Sequence, residues 1–363
     1  MSWASALAAC LIFGCASEPD VDDLIEHTSG EPQTIVGAHG PLSPAQSKAI
    51  LARLDQQTSG SDILDRHLAI EQAVAGAPLI AGNRTTLLHD GPETFAAMFK
   101  ALSSAKNRID LEYYIFENVE SDGERLADLL LAKRQEGVAI NVIYDSYGSI
   151  DTPNGFLDRL KEAGVEILEF HPLNPLKGFF GYAPNERDHR KILVVDGTLA
   201  IVGGVNLYTA YQPHPHVRLV ASDGGNADTW HDTDLEIEGP ASAPLERLFI
   251  DHWAAQGGPT LPSPDPPAPA ALGNEVVRII GSDHDDTIPR YYATVLSAIR
   301  NAEKTISITT AYFVPTGEEV RDLKAAARRG AALMCASCCR AKAILRWPWR
   351  SAIRIMAGCS RPA

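Results

Sequence analysis

The chain is short of basic charge, of interior cysteine and of long apolar runs. Its 32 Lys and Arg face 46 Asp and Glu, for a formal charge of -14. A dedicated nucleic-acid binder carries a basic footprint, so no nucleic-acid partner is expected. Attachment to a membrane through a polybasic patch is disfavoured for the same reason. No stretch reaches the ~18 consecutive apolar residues that a membrane-spanning helix needs. The six cysteines sit at the two ends: Cys10 and Cys15, then Cys335, Cys338, Cys339 and Cys359. A disulfide scaffold spreads its cysteines through the body, so this core does not rely on them. What is present is 45% hydrophobic residues in a chain of 363, enough to bury two domains of ordinary size.

Residues 4–13 (ASALAACLIF) form a short apolar run that ends at Gly14-Cys15 and gives way to polar, acidic sequence. The pattern is that of a signal segment, 1–15, ending at a lipoprotein processing site with Cys15 lipidated. One lipidated cysteine anchors a chain without spanning the bilayer. Residues 16–80 then read as a tether followed by a pair of helices.

From residue 81 strand-like and helix-like segments alternate. Ile109–Phe116 precedes a helix over 123–135 that ends at Gly137, and Val138–Asp145 precedes a helix over 154–162 that ends at Gly164. Alternation of this kind predicts an α/β sheet covered by helices on both faces. Residues 257–273 (GGPTLPSPDPPAPAALG) hold six of the 24 prolines and predict a linker between a first domain, 81–256, and a second that starts at 274. The second repeats the first: SAKNRIDL (104–111) matches NAEKTISI (301–308) at an offset of 197 residues.

The chemistry concentrates in RDHRKILVVDGTLAIVGGVN, residues 187–206. Two apolar strands flank Asp196-Gly197, a two-residue hairpin signal. Pairing Val195 with Thr198 sets Lys191 opposite Val202 and His189 opposite Gly204. His189 and Lys191 then share a face, because strand side chains alternate, and Asn206 is a diagonal neighbour of His189 on that face. Gly203 and Gly204 are expected to leave open space beside the imidazole. A nucleophile, a cation and an amide around an empty pocket suit a phosphodiester. Lys191 offers a point charge to phosphate oxygens, Asn206 and Gly204 complete the phosphate site, and His189 can attack phosphorus or move a proton near neutral pH. Asp196 supports the motif. The positive charge is already in place, so no metal and no cofactor is expected. The cluster Cys335-x2-Cys338-Cys339 lacks the partner pair of a structural metal site.

On these residues, H-x-K-x4-D followed by Gly-Gly-x-Asn, the chain resembles the phospholipase D superfamily and, within it, the bacterial cardiolipin synthase branch. Ile109–Phe116, Val142–Asp145, Trp230–Pro240 and Ala311–Pro315 carry the resemblance further, from about residue 95 to 330. It implies a phospholipase D-like mixed β-sheet flanked by helices, with one complete unit and a truncated second one. It also implies phosphatidyl transfer through a phosphohistidine, with phosphatidylglycerol as acceptor. The phospholipid is the expected partner, and the lipid anchor implies a bacterial cell envelope location facing the periplasm.

A second H-x-K-x4-D motif is absent; at the repeat offset its histidine would fall beyond residue 363. From Ala332 on, the tail is rich in Cys, Trp and Arg and shows no helix or strand period. Back-translation of 333–340 permits a one-base shift that reads DVRLVLPG, so 332–363 are expected to be a frameshifted tail. One histidine where the family mechanism uses two predicts weak or absent activity, or a homodimer that shares its site. A dimeric nuclease of the same superfamily and a non-catalytic envelope lipoprotein are the alternatives.

Overall fold

A computed structural model describes residues 33–57, 68, 71–72, 76–173, 186–212, 229–261, 270–282, 290–310, 313–337 and 353–356. The Cys15 segment and most of the tail lie outside the described residues. The chain divides into two compact units, one of residues 32–64 and 75–284 and the other holding the C-terminal part from Asp285.

The larger unit is built on one mixed sheet. In chain order its elements are β1 (Ile35–Gly37), β2 (Gly40–Pro41), α1 (Pro44–Gln57), β3 (Leu79–His89), α2 (Asp90–Ser104), β4 (Arg108–Tyr113), β5 (Glu120–Ser121), β6 (Glu124–Arg125), α3 (Leu126–Gln135), β7 (Ala139–Asp145), α4 (Asn154–Glu162), β8 (Glu166–Phe170), β9 (Lys191–Val195), β10 (Leu199–Gly203), β11 (Thr233–Glu238), α5 (Ser242–Ala255) and β12 (Glu275–Val277). The sheet order is β2-β1-β3-β11-β10-β9-β4-β7-β8, with β12 also paired to β3. β4, β7 and β8 run parallel, and the β9–β10–β11–β3 stretch is antiparallel.

Residue pattern explains the layering. β9 (KILVV) is buried along its whole length, as a central strand covered on both faces must be. Leu193 and Val195 enter the core under α2, α3 and α4, with Phe95, Met98, Leu102, Leu126 and Leu130. Ile192 and Val194 face the other way, with Ala200, Ile237 and Leu245 of α5. Gly137 (φ 93°) and Gly164 (φ 84°) follow α3 and α4 in the left-handed conformation that ends a helix without a Cβ penalty.

Three sequence expectations change here. Residues 79–80 begin a strand instead of ending a helical pair; the first expected helix is α1. The proline-rich stretch does not separate two domains, because β12 lies beyond it and pairs with β3 of the first sheet. The hairpin register also shifts by one. Asp196 (φ 51°) and Gly197 (φ 62°) form the expected turn, closed by Thr198 N–H to Val195 O at 3.0 Å. Strand pairing, however, joins Val195 to Leu199 and Ile192 to Val202. Thr198 is an extra residue whose carbonyl accepts from Gly239 N–H at 3.1 Å instead of closing the ladder.

The smaller unit contains α6 (Arg290–Asn301), β13 (Thr305–Thr310), α7 (Gly317–Arg329), β14 (Ala332–Ser337) and β15 (Ile353–Met356), with the three strands parallel. β13 begins and ends 197 residues after β4, Arg108 to Thr305 and Tyr113 to Thr310, as the repeat predicts. α7 opens with a capping box between Thr316 and Glu319 and ends at Gly330 (φ 105°). Two strands therefore occur where the sequence offered no period. β14 takes its register from parallel pairing with β13, and β15 from parallel pairing with β14.

Candidate active site

The site forms at the carboxyl ends of β4 and β7, the edge where α/β sheets commonly bind ligands. Tyr113, the last residue of β4, pairs with Tyr144 on one side and Lys191 on the other. Residues 186–190 run into β9 without strand hydrogen bonding, so His189 stands just ahead of the sheet.

Tyr114 organises the centre. Its ring lies 4.9 Å from the His189 ring at a 50° tilt, and the Lys191 ammonium lies 5.5 Å from its centroid. Lys191 is buried, and its Nζ donates to the His189 carbonyl at 2.7 Å. Burial pushes its pKa down to about 8, against the pull of Asp188, Asp232, Asp234 and Asp145. His189 stays exposed on its outer side. Its pKa is lowered by desolvation and then by Lys191, while Asp145 and Asp232 act in the opposite sense. The imidazole is therefore neutral and nucleophilic near pH 7. Asn206 is buried, and its Oδ1 accepts from Ile115 N–H at 3.1 Å, so it flanks the same Tyr114-Ile115 step as His189.

The two glycines act differently from expectation. A Cβ on Gly203 would collide with Asp234, and one on Gly204 with Asp232. The space beside the hairpin is filled by these carboxylates and is not an empty pocket. Gly204 N–H is also committed to Thr233 O at 3.1 Å, which corrects its assignment to the phosphate site.

Asp196 is not at the site. It lies at the far end of β9, where its carboxylate accepts three backbone N–H groups, from Lys106, Asn107 and Arg108, each at 2.7 Å. Those bonds tie the hairpin turn to the start of β4. His171, on a backbone with φ 40°, stacks on Phe170 at 4.0 Å and turns its Nδ1 toward Glu186 O.

Three carboxylates that the motif did not reveal shape the site. Asp145 closes the loop after β7 by accepting Tyr147 and Gly148 N–H, and it holds the Asp188 N–H at 3.0 Å. Asp234 accepts Val205 N–H at 3.0 Å, and burial raises its pKa to about 7. Asp232 accepts Thr233 N–H at 2.9 Å. An acidic residue at a strand end followed by Ser-Tyr-Gly was a readable signal for Asp145.

Behind the site, Glu112, Asp188 and His252 bring potential metal-ligating atoms within 4.8 Å of one another. The Arg190 guanidinium lies 3.3 Å from Glu112 and already supplies positive charge there.

Residues 98–212, which contain every one of these groups except Asp232, Asp234 and His252, match the family described as "Cardiolipin synthase, PLD-like domain". The chain belongs to the phospholipase D superfamily. Its similar relatives lie in the cardiolipin synthase branch. The cardiolipin synthase of Halalkalibacterium halodurans is 34% identical over 261 residues, covering 71% of this chain and 49% of that protein. That of Geobacillus sp. WCH70 is 31% identical over 297 residues, covering 77% and 57%. This phospholipase D-family chain thus spans about half the length of the curated relatives it matches. Its fold is similar to that of the phosphatidylserine synthase of Haemophilus influenzae, with a TM-score of 0.51 at 12% identity, over 76% of this chain and 66% of that one.

Proposed function

We propose that the chain carries the nucleophilic half of a phosphatidyl transfer of cardiolipin synthase type. One observation carries this reading: an exposed neutral imidazole and a buried ammonium share the Tyr114 ring, with the Asn206 amide on the next residue. In the reaction a ring nitrogen of His189 attacks the phosphorus of phosphatidylglycerol. The bond from phosphorus to the headgroup oxygen breaks, and glycerol leaves with a proton from a second acid. The hydroxyl of another phosphatidylglycerol then attacks the phosphohistidine, the P–N bond breaks, and cardiolipin forms. Lys191 balances charge on the phosphoryl oxygens throughout. Asp145 and Asp232 favour the positive charge that the imidazole gains when it bonds to phosphorus. Lipid anchoring through Cys15 would hold the site at the bilayer surface, and no helix of the described residues is long and apolar enough to cross a membrane.

The described residues supply one histidine of the pair that the family mechanism uses. The test is a vesicle assay with phosphatidylglycerol and the purified full chain. Release of glycerol that stops in His189→Ala is the expected result. Release that survives His189→Ala overturns the reading, and salt-sensitive cleavage of DNA in its place favours the nuclease alternative.

A further inference from the structure

Side chains alternate along an extended chain. His189 and Lys191 turn toward the Tyr114 ring, so Asp188 and Arg190 turn to the opposite side of the sheet. There they meet Glu112 of β4 and His252 of α5. The Arg190 guanidinium lies 3.3 Å from Glu112 Oε1, and the Arg190 backbone N–H donates to Asp188 Oδ1 at 3.0 Å. His252 Nδ1 is 2.8 Å from the same Glu112 Oε1. Glu112 is fully buried and Asp188 is 5% exposed. Phe170 closes the cluster, its ring 5.2 Å from that of His252.

The arrangement sets charges of both signs together: burial and then Glu112 raise the Asp188 pKa, and against burial Glu112 raises that of His252. Two carboxylates face one guanidinium and one imidazole held against a carboxylate, which is the setting that keeps an imidazole protonated. A divalent cation would place further positive charge beside Arg190, so the ion network is the occupant the residues favour. The two residues flanking His189 are also tied by Asp188 N–H to Asp145 at 3.0 Å and by the Arg190 guanidinium to Ser282 O at 3.3 Å. No strand hydrogen bond holds that segment.

We propose that Glu112, Asp188, Arg190 and His252 form a buried ion network that positions His189 from behind the sheet, with His252 of α5 as its outer cation. These are positioning residues, since none reaches the reacting atoms. The inference rests on His189 being the reacting group. Removing the His252 charge leaves Asp188 and Glu112 in excess by one, and the segment bearing His189 shifts. A displacement of about 1 Å can cost about 100-fold in rate.

The experiment is a double-mutant cycle on the full chain with phosphatidylglycerol vesicles. His252→Leu is expected to lower kcat about 10-fold or more with KM unchanged within about twofold. Adding Asp188→Asn to that variant is expected to restore much of kcat, because the unmatched carboxylate is gone. Should His252→Leu fail to fold, His252→Gln keeps a donor toward Glu112 without the charge and carries the same prediction. Independent effects of the two substitutions, or an unchanged kcat, overturn the proposal. Absence of turnover in the unaltered chain counts against the proposed function instead. In that case the ring 15N signals of His189 decide: a shift in His252→Gln that Asp188→Asn reverses supports the network, and an unchanged signal overturns it.

Discussion

The Lys191 ammonium donates to the backbone carbonyl of His189 at 2.7 Å while both side chains contact the Tyr114 ring. A buried cation is thus held against the peptide of the nucleophile, where an incoming phosphate can replace a neutral acceptor with a charged one. Holding an ammonium there costs stability, and in the proposed transfer it supplies charge to the phosphoryl oxygens.

That division predicts opposite effects from one substitution. Lys191→Met is expected to reduce phosphatidyl transfer by at least about 100-fold. Its melting temperature is expected to stay level or rise at pH 7, because the desolvated charge is gone. Parallel vesicle assays and thermal melts of both proteins check this, and a large fall in melting temperature contradicts it.

The pH profile follows from the same pair. His189 must be neutral to attack, and its pKa lies below the ordinary 6.5. Lys191 must be charged, and its pKa lies at about 8. The dependence of kcat/KM on pH is expected to be bell-shaped, rising below 6.5 and falling through about 8. Lys191→Arg is expected to move the falling limb upward.

Asp196→Ala is expected to act on folding and not on chemistry. Three backbone N–H groups lose a charged acceptor, at a cost of about 2–3 kcal/mol, read as a lower denaturant midpoint. The folded fraction is expected to keep its kcat. Asp196→Asn tolerates the positive φ and retains an acceptor, so its loss is smaller.

Asp234 makes the fold sensitive to alkali. Its folded pKa of about 7 lies above the ordinary 3.8, so the stability it contributes is full below about pH 4 and is lost as pH rises through 7. Asp234→Asn still accepts Val205 N–H. It is expected to melt higher than the unaltered chain above pH 7 and level with it near pH 4. Melts across that range check the sign.

Much of this is legible in the sequence. β4 shows as an alternating run and β7, β9 and β10 as apolar ones, Gly137 and Gly164 mark helix ends, and the offset of 197 residues predicts β13 from β4. His189, Lys191 and Asn206 do gather around one dipeptide. The role of Asp196 was not readable, because the three N–H donors to its carboxylate come from residues 106–108, about 90 positions away in sequence. The filling of the space beside Gly203 and Gly204 by Asp234 and Asp232 has the same cause. The register slip at Thr198 depends on a single bond to Gly239. β12 and β14 escaped because their pairing partners, β3 and β13, set them, and their own patterns are weak.

The most direct test of the central claim is to look for the covalent intermediate. The full chain would be mixed with phosphatidylglycerol vesicles, quenched in base to preserve P–N bonds, digested and analysed by mass spectrometry. A phosphatidyl adduct on the peptide containing His189, absent in His189→Ala and depleted in Lys191→Met, is the predicted result. An adduct elsewhere, or none while glycerol is still released, would contradict it.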